Sequence, residues 1–206
     1  GLTFEVNQDV LCPRPDTEIL VEEVLKHLHD GMRILDIGTG SGCILLSLLH
    51  YSNDCRGVGA DISEKALRTA RANAERLSAE GVSFAESDLF AEIEGQFEII
   101  VSNPPYIRRA DIENLMPEVR DHDPRTALDG GEDGLFFYRE ITAGAKDHLP
   151  RGGMLFYEIG YDQGEAVRRI MEESGLREIE IVKDFSGLDR VVFGTLYACG
   201  RSGVPV

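Results

Sequence analysis

Strand-like and helix-like segments alternate through this chain from Arg33 onward, and that rhythm narrows the possible folds more than any single motif does. Short runs at 33–37, 57–61, 82–85, 97–102 and 154–159 read as strands. Between them, 43–50, 63–79, 135–148 and 163–174 read as helices, the second with Ser63 as its N-cap. Such alternation builds a mostly parallel sheet with helices on both faces. The end of the chain breaks the pattern. Strands expected at 178–184 and 190–197 are joined only by Phe185-Ser186-Gly187-Leu188-Asp189, whereas a parallel crossover needs about a dozen residues or more. One of the two must run antiparallel. The expected fold class is therefore α/β, a seven-stranded and mostly parallel sheet with an antiparallel C-terminal hairpin. An amphipathic helix at 16–29, with Leu20, Val24, Leu25 and Leu28 on one face, precedes the first strand.

The 206 residues suffice for one such domain with two helix layers. Hydrophobic residues make up 42%, yet no apolar run approaches the ~18 residues that span a bilayer. There is no signal peptide at the start, so a soluble, cytoplasmic chain is expected. Lys and Arg total 21 against 37 Asp and Glu, a net charge of −16. That field repels polyanions and argues against nucleic acid as a direct partner. Cys12, Cys43, Cys55 and Cys199 lack metal-ligand spacing, and His27, His29, His50, His122 and His148 form no cluster. Reduced structural thiols and no metal are expected.

Chemistry gathers at the strand ends. Asp36-Ile37-Gly38-Thr39-Gly40-Ser41-Gly42 leaves the first strand and opens a helix, the place where open α/β sheets take nucleotide-like ligands. A dinucleotide fingerprint would need glycine where Cys43 stands, and no Walker lysine serves a triphosphate. Asp61, ending the second strand, can accept from two ribose hydroxyls. Asp88, after the third, can accept from an adenine amino group while Leu89 packs on the ring. Asn103-Pro104-Pro105-Tyr106 follows the fourth strand. Its two prolines remove backbone donors and leave carbonyl acceptors, which with the Asn103 amide oxygen can hold an NH2 group while Tyr106 offers a flat face. The charged segment 107–134 that follows is expected to be an irregular functional loop.

A glycine loop, two acids and Asn-Pro-Pro-Tyr on four successive strand ends suit an adenosine-type cofactor beside an amino-group acceptor. The chain resembles the S-adenosylmethionine-dependent methyltransferases, whose Rossmann-like sheets typically end in an antiparallel hairpin. Among them it looks like the release-factor glutamine N5-methyltransferases. The marks are Leu11-Cys12-Pro13-Arg14-Pro15-Asp16-Thr17-Glu18, the loop 36–42, Val101-Ser102-Asn103-Pro104-Pro105-Tyr106-Ile107, Thr126-Ala127-Leu128 and Glu158-Ile159-Gly160. Asn-Pro-Pro-Tyr alone is shared with adenine-N6 methyltransferases acting on DNA or RNA, and the Arg-Pro-Asp-Thr-Glu stretch discriminates better.

The resemblance implies that Gly38, Thr39, Gly40, Ser41, Gly42 and Asp61 bind S-adenosylmethionine and that Asn103 contacts both cofactor and substrate; Asp88 and Leu89, read above as adenine contacts, complete the expected cofactor set. It implies that Asn103, Pro104, Pro105 and Tyr106 position a release-factor glutamine, with Arg14 and Pro15 on the substrate side. Asn103, Pro104 and Tyr106 are the catalytic candidates. Two departures stand out: the family's small helical N-terminal domain is absent from this sequence, and Leu89 stands where an aromatic is common. The expected organisation is a substrate loop and helix at 1–32, a catalytic domain at 33–199 and a tail at 200–206, acting as a monomer. An adenine-N6 or guanine-N2 nucleic-acid methyltransferase, or a non-catalytic partner-binding domain of the same fold, is the competing reading.

Overall fold

Seven strands form one sheet in a computed structural model that describes residues 1–121 and 123–197. His122, Cys199 and the tail expected at 200–206 lie outside the described residues. The strands are β1 (Arg33–Ile37), β2 (Arg56–Asp61), β3 (Val82–Glu86), β4 (Ile99–Ser102), β5 (Met154–Glu158), β6 (Leu176–Lys183) and β7 (Asp189–Leu196). Their spatial order is β3-β2-β1-β4-β5-β7-β6. β1 to β5 pair in parallel, while β7 runs antiparallel to both β5 and β6. The short link 184–188 thus forced the antiparallel strand, as its length required. The described helices are α1 (Pro15–His27), α2 (Cys43–His50), α3 (Glu64–Arg76), the single turns α4 (Pro117–Arg120) and α5 (Arg125–Leu128), α6 (Phe136–His148) and α7 (Gly164–Glu173).

Alternation along the strands divides the core in two. Leu35, Ile100, Leu155 and Tyr157 pack on one face, against Tyr138 and Ile141 of α6 and Val167 and Met171 of α7. Ile34, Ile99, Val101 and Phe156 face the other way, against Leu20 and Val24 of α1 and Leu45 and Leu48 of α2. The residues of β4 are buried without exception, as expected of a central strand covered on both sides. Each such Leu or Ile withdrawn from water contributes about 1.5–3 kcal/mol before entropy is counted.

The strand order reverses between β1 and β4. A crevice opens there because the connections from these neighbours leave toward opposite sides of the sheet. The glycine loop departs from one of the two strands and Asn103-Pro104-Pro105-Tyr106 from the other.

One expectation is corrected. The described residues of 107–134 are only partly irregular: a 3-10 helix at Arg109–Asn114 and the turns α4 and α5 fill about half of the segment. Its ends are stitched together by Ile107 N–H to the Leu128 carbonyl (3.1 Å) and Gly130 N–H to the Ile107 carbonyl (2.8 Å). Pro117 at a first helical turn and Arg125 after Pro124 are local helix starts that a charge-based reading overlooks.

Candidate active site

A cavity of about 1050 Å³ lies over the C-terminal ends of β1, β2 and β4. Gly38, Thr39, Gly40 and Ser41 line it from β1, Asp61 from β2, Asp88 and Leu89 from beyond β3, and Asn103, Pro104 and Pro105 from beyond β4. Pro124, Thr126 and Ala127 close it from the segment after the turn, and Phe136 and Phe137 from the start of α6.

The glycine loop is built around Asp61. One carboxylate oxygen accepts from Gly40 N–H and the other from Ser63 N–H, both at 2.9 Å. Burial raises the Asp61 pKa, and those two donors pull it back down. Gly38 (φ 72°) and Gly40 (φ 55°) take left-handed conformations that side chains resist; a Cβ on Gly38 would project into open space, and one on Gly40 would meet only the Gly38 carbonyl oxygen at 4.0 Å. Their bareness keeps the cavity floor low. Gly42 has a different task. It ends the loop at φ 79°, and a Cβ there would press on Leu46 at 3.1 Å and Ala70 at 3.3 Å, so it sets the approach of α2 to α3. Beneath the loop, Asp36 is fully buried and accepts from the Thr39 hydroxyl at 2.7 Å. Burial lifts its carboxyl to about 7.

On the other side of the crevice, the Asn103 turn is held from behind. Gln163 is buried and uses both ends of its amide: Nε2 donates to the carbonyls of Tyr106 (2.9 Å) and Gly134 (3.1 Å), and Oε1 accepts from Gly160 N–H (3.0 Å). The Tyr138 hydroxyl donates to the Glu158 carbonyl at 3.0 Å and also reaches Gln163 Oε1 at 3.4 Å. One side chain therefore joins the turn, the end of β5 and the entrance to α6. Gln163→Leu leaves several buried carbonyl and N–H groups unpaired, and a loss of about 2–4 kcal/mol is expected, measured by urea unfolding. A variant as stable as the parent would refute this role.

Four predicted site residues stand off the cavity wall: Gly42, Tyr106, Arg14 and Pro15. Gly42 is turned into the α2–α3 contact. Tyr106 has its carbonyl tied to Gln163 and its ring against Gly160, and burial pushes its hydroxyl up to about 12. The flat face expected over the acceptor is not on the cavity side. Arg14 reaches across to Asp123 at 2.5 Å, fastening the start of α1 to the segment 107–134, while Pro15 opens α1 at its first turn. Their neighbours Pro13 and Thr17 line the cavity instead.

Sequence reasoning assigned no role to Glu158 or Gln163. The signal for Glu158 was present as an acid closing an otherwise apolar strand, Met154-Leu155-Phe156-Tyr157-Glu158. Among the described residues, no group of three or more His, Cys, Asp and Glu could hold a metal ion, and no helix is long and apolar enough to cross a membrane.

The methyltransferase small domain family model matches residues 14–121. The release factor glutamine methyltransferase of Clostridium acetobutylicum is 46% identical over 198 residues, covering 93% of this chain and 70% of that protein. The chain belongs to the release factor glutamine methyltransferases. A solved member, the release factor-specific protein-(glutamine-N5) methyltransferase of Alicyclobacillus acidocaldarius, is 33% identical with a TM-score of 0.55, covering 95% of this chain and 100% of that one. A methyltransferase complex from E. cuniculi, responsible for methylation of a translation termination factor, shares the fold at 22% identity and a TM-score of 0.65, over 91% of this chain and 99% of that one. That protein is solved with a partner, so the comparisons lend the expected monomer no support.

Proposed function

We propose that this chain transfers a methyl group from S-adenosylmethionine to the side-chain amide nitrogen of a glutamine in a peptide chain release factor. The observation that carries the reading is that the glycine loop and the Asn103 turn open into one cavity from the two sides of the sheet's switch point. The cofactor suits the residues present. Gly38 and Gly40 leave room where a Cβ would intrude, Asp61 offers the oxygen lone pairs that Gly40 and Ser63 leave free, and Asp88 and Leu89 border the same end. When bound, S-adenosylmethionine supplies an electrophilic methyl group on a sulfonium.

The acceptor end must deal with an unreactive nitrogen. An amide nitrogen shares its lone pair with the carbonyl, so it has to be held out of that conjugation and aimed. Asn103 Oδ1 and the Pro104 carbonyl are the acceptors for its two hydrogens, and their hold strengthens as positive charge grows on the nitrogen. The Pro104 carbonyl has no hydrogen-bond donor among the described residues. Tyr106 acts from behind, bracing the turn. The proton is free to leave after transfer, so no base of matched pKa is needed.

The mouth of the cavity speaks for a protein substrate. Arg14 pairs with Asp123, Arg109 with Asp129 and Arg139 with Asp133, so these cations are neutralised within the protein rather than offered to phosphates. The test is methyl transfer to a purified release factor, an RNA and a DNA duplex in parallel, with the product located by mass spectrometry. A methylated glutamine in the release factor is expected. Methylation of a nucleobase, with the release factor unchanged, would overturn the proposal.

A further inference from the structure

Two adjacent strands, β4 and β5, lead into polar residues on one face of the sheet. Along β5, Leu155 and Tyr157 face α6 and α7 while Phe156 faces α1 and α2, so Glu158 falls on the α1 side. Along β4, Val101 also faces α1 and α2, which puts Asn103 on that side. The parallel register pairs Ser102 with Tyr157, so the next residues, Asn103 and Glu158, are neighbours. Glu158 is 1% exposed, and the Thr17 hydroxyl of α1 donates to its Oε2 at 2.7 Å. The Asn103 side chain lies near enough to Glu158 to favour its ionised carboxylate. Only the Asn103 Nδ2–H can do that, since a carboxylate accepts and does not donate.

We propose that Glu158 is a positioning residue for the acceptor: by taking the Asn103 N–H, its carboxylate turns Asn103 Oδ1 toward the cavity, and Thr17 holds the carboxylate in place. This rests on the reading of Asn103 given above. An asparagine amide is nearly symmetric in shape, so packing alone distinguishes poorly between its two flipped states. Flipped, it would present a donor to the substrate NH2, where an acceptor is required. A buried carboxylate behind the amide removes that ambiguity, because it tolerates only the N–H.

The device works only while Glu158 is ionised. Burial raises its carboxyl to about 7, against the opposing pull of Thr17, Arg190 and Asn103. The groups that face it are Asp16 and Thr17 of α1, Cys43 of α2, Asn103 and Tyr106 beyond β4, Tyr138 of α6 and Arg190 of β7. Tyr106 and Cys43 are held protonated to about 12, and Arg190 keeps its charge throughout, paired with Asp16 at 3.3 Å and Asp184 at 3.2 Å. Below about 7 the protonated acid offers an O–H as well as an acceptor oxygen, so it no longer enforces one orientation of the Asn103 amide, and turnover falls with pH. Above it, turnover is level.

Two measurements test this on the whole chain. The kcat–pH profile with a release factor should show an acid limb in the parent. Glu158→Gln should flatten that limb and lower the plateau about tenfold or more, as expected when a reacting group is misaimed, with S-adenosylmethionine affinity kept. Thr17→Val should move the limb to higher pH, because it removes a hydrogen bond that favours the ionised form, and Thr17→Ser should restore it. Independently of any turnover, the side-chain amide resonances of Asn103 should titrate in the parent and not in Glu158→Gln. An unchanged acid limb in Glu158→Gln, or Asn103 resonances that ignore pH, overturns the proposal. If the resonances titrate but no release factor is methylated, the substrate reading has failed and the positioning of Asn103 stands.

Discussion

Asn103→Ala lowers methyl transfer about 10²–10³-fold while S-adenosylmethionine binds within a few-fold of the parent. The asymmetry follows from where the side chain stands. Asn103 leaves the end of β4, whereas the cofactor end of the cavity is floored by Gly38 to Ser41 and bordered by Asp61, Asp88 and Leu89. In the proposed mechanism, losing Asn103 removes one of two acceptors for the substrate NH2 and also the group that Glu158 restrains. The Pro104 carbonyl alone cannot fix the orientation of a planar amide, since one hydrogen bond leaves rotation about its own axis free. The loss should therefore appear in kcat, with a smaller change in KM. Calorimetry for the cofactor and initial rates with the release factor check both halves. Near-normal turnover in this variant would remove Asn103 from the mechanism.

Asp61→Ala has the complementary effect, weakening S-adenosylmethionine binding about a hundredfold. Its carboxylate has two jobs. Inside the protein it gathers Gly40 N–H and Ser63 N–H, which tie the glycine loop to the start of α3. Toward the cavity its remaining lone pairs are, in the proposed reading, those that take the ribose hydroxyls. Hydrogen bonds to a charged group are worth about 1.5–3 kcal/mol each, so losing such contacts together with the loop's anchor accounts for two orders of magnitude. The release-factor KM should barely move, because the Asn103 turn is anchored separately through Gln163. Equal damage to both affinities would show that the two walls of the cavity are not independent.

Much of the fold was legible in the sequence because it is carried by local patterns. The strands were found to within a residue or two, and Ser63 caps α3 as expected, accepting from Ala66 N–H at 3.3 Å. The misses have physical causes. The third helix was expected to run to residue 79 but ends at Arg76, where Leu77 caps it and Ser78 turns left-handed at φ 51°. β6 begins at Leu176 rather than 178 because the chain bulges at Glu178 (φ 51°), shifting register between Arg177 and Glu180. One extra residue in a strand leaves little trace in hydrophobic pattern. Phe97 was expected to start β4, but its N–H goes to the His148 carbonyl at 2.8 Å and its ring lies under the Arg33 guanidinium.

The site was half legible. Residues whose role depends on a backbone conformation or a loop composition, such as Gly38, Gly40 and the two prolines, announce themselves in one dimension. Gln163 and Thr17 do not, and the acid closing β5 marks Glu158 without giving it a task, because their role comes from partners far along the chain: Thr17 meets Glu158 across 141 positions, and Gln163 meets Tyr106 across 57. Tyr106 was misplaced for a related reason. Its neighbours in sequence point to the cavity, but a hydrogen bond from α7's leading residue, Gln163, holds its carbonyl on the far side of the turn.

The position of β7 carries a consequence for the order in which the molecule matures. It comes after β6 in the chain, yet it is seated between β5 and β6. During synthesis from the N-terminus, β5 is therefore an open edge, with unpaired N–H and C=O groups, until the last described strand has left the ribosome and inserted. Glu158 ends β5, and Arg190 beside it belongs to β7. The surroundings of Glu158 are therefore complete only when the final residues of the sheet are in place.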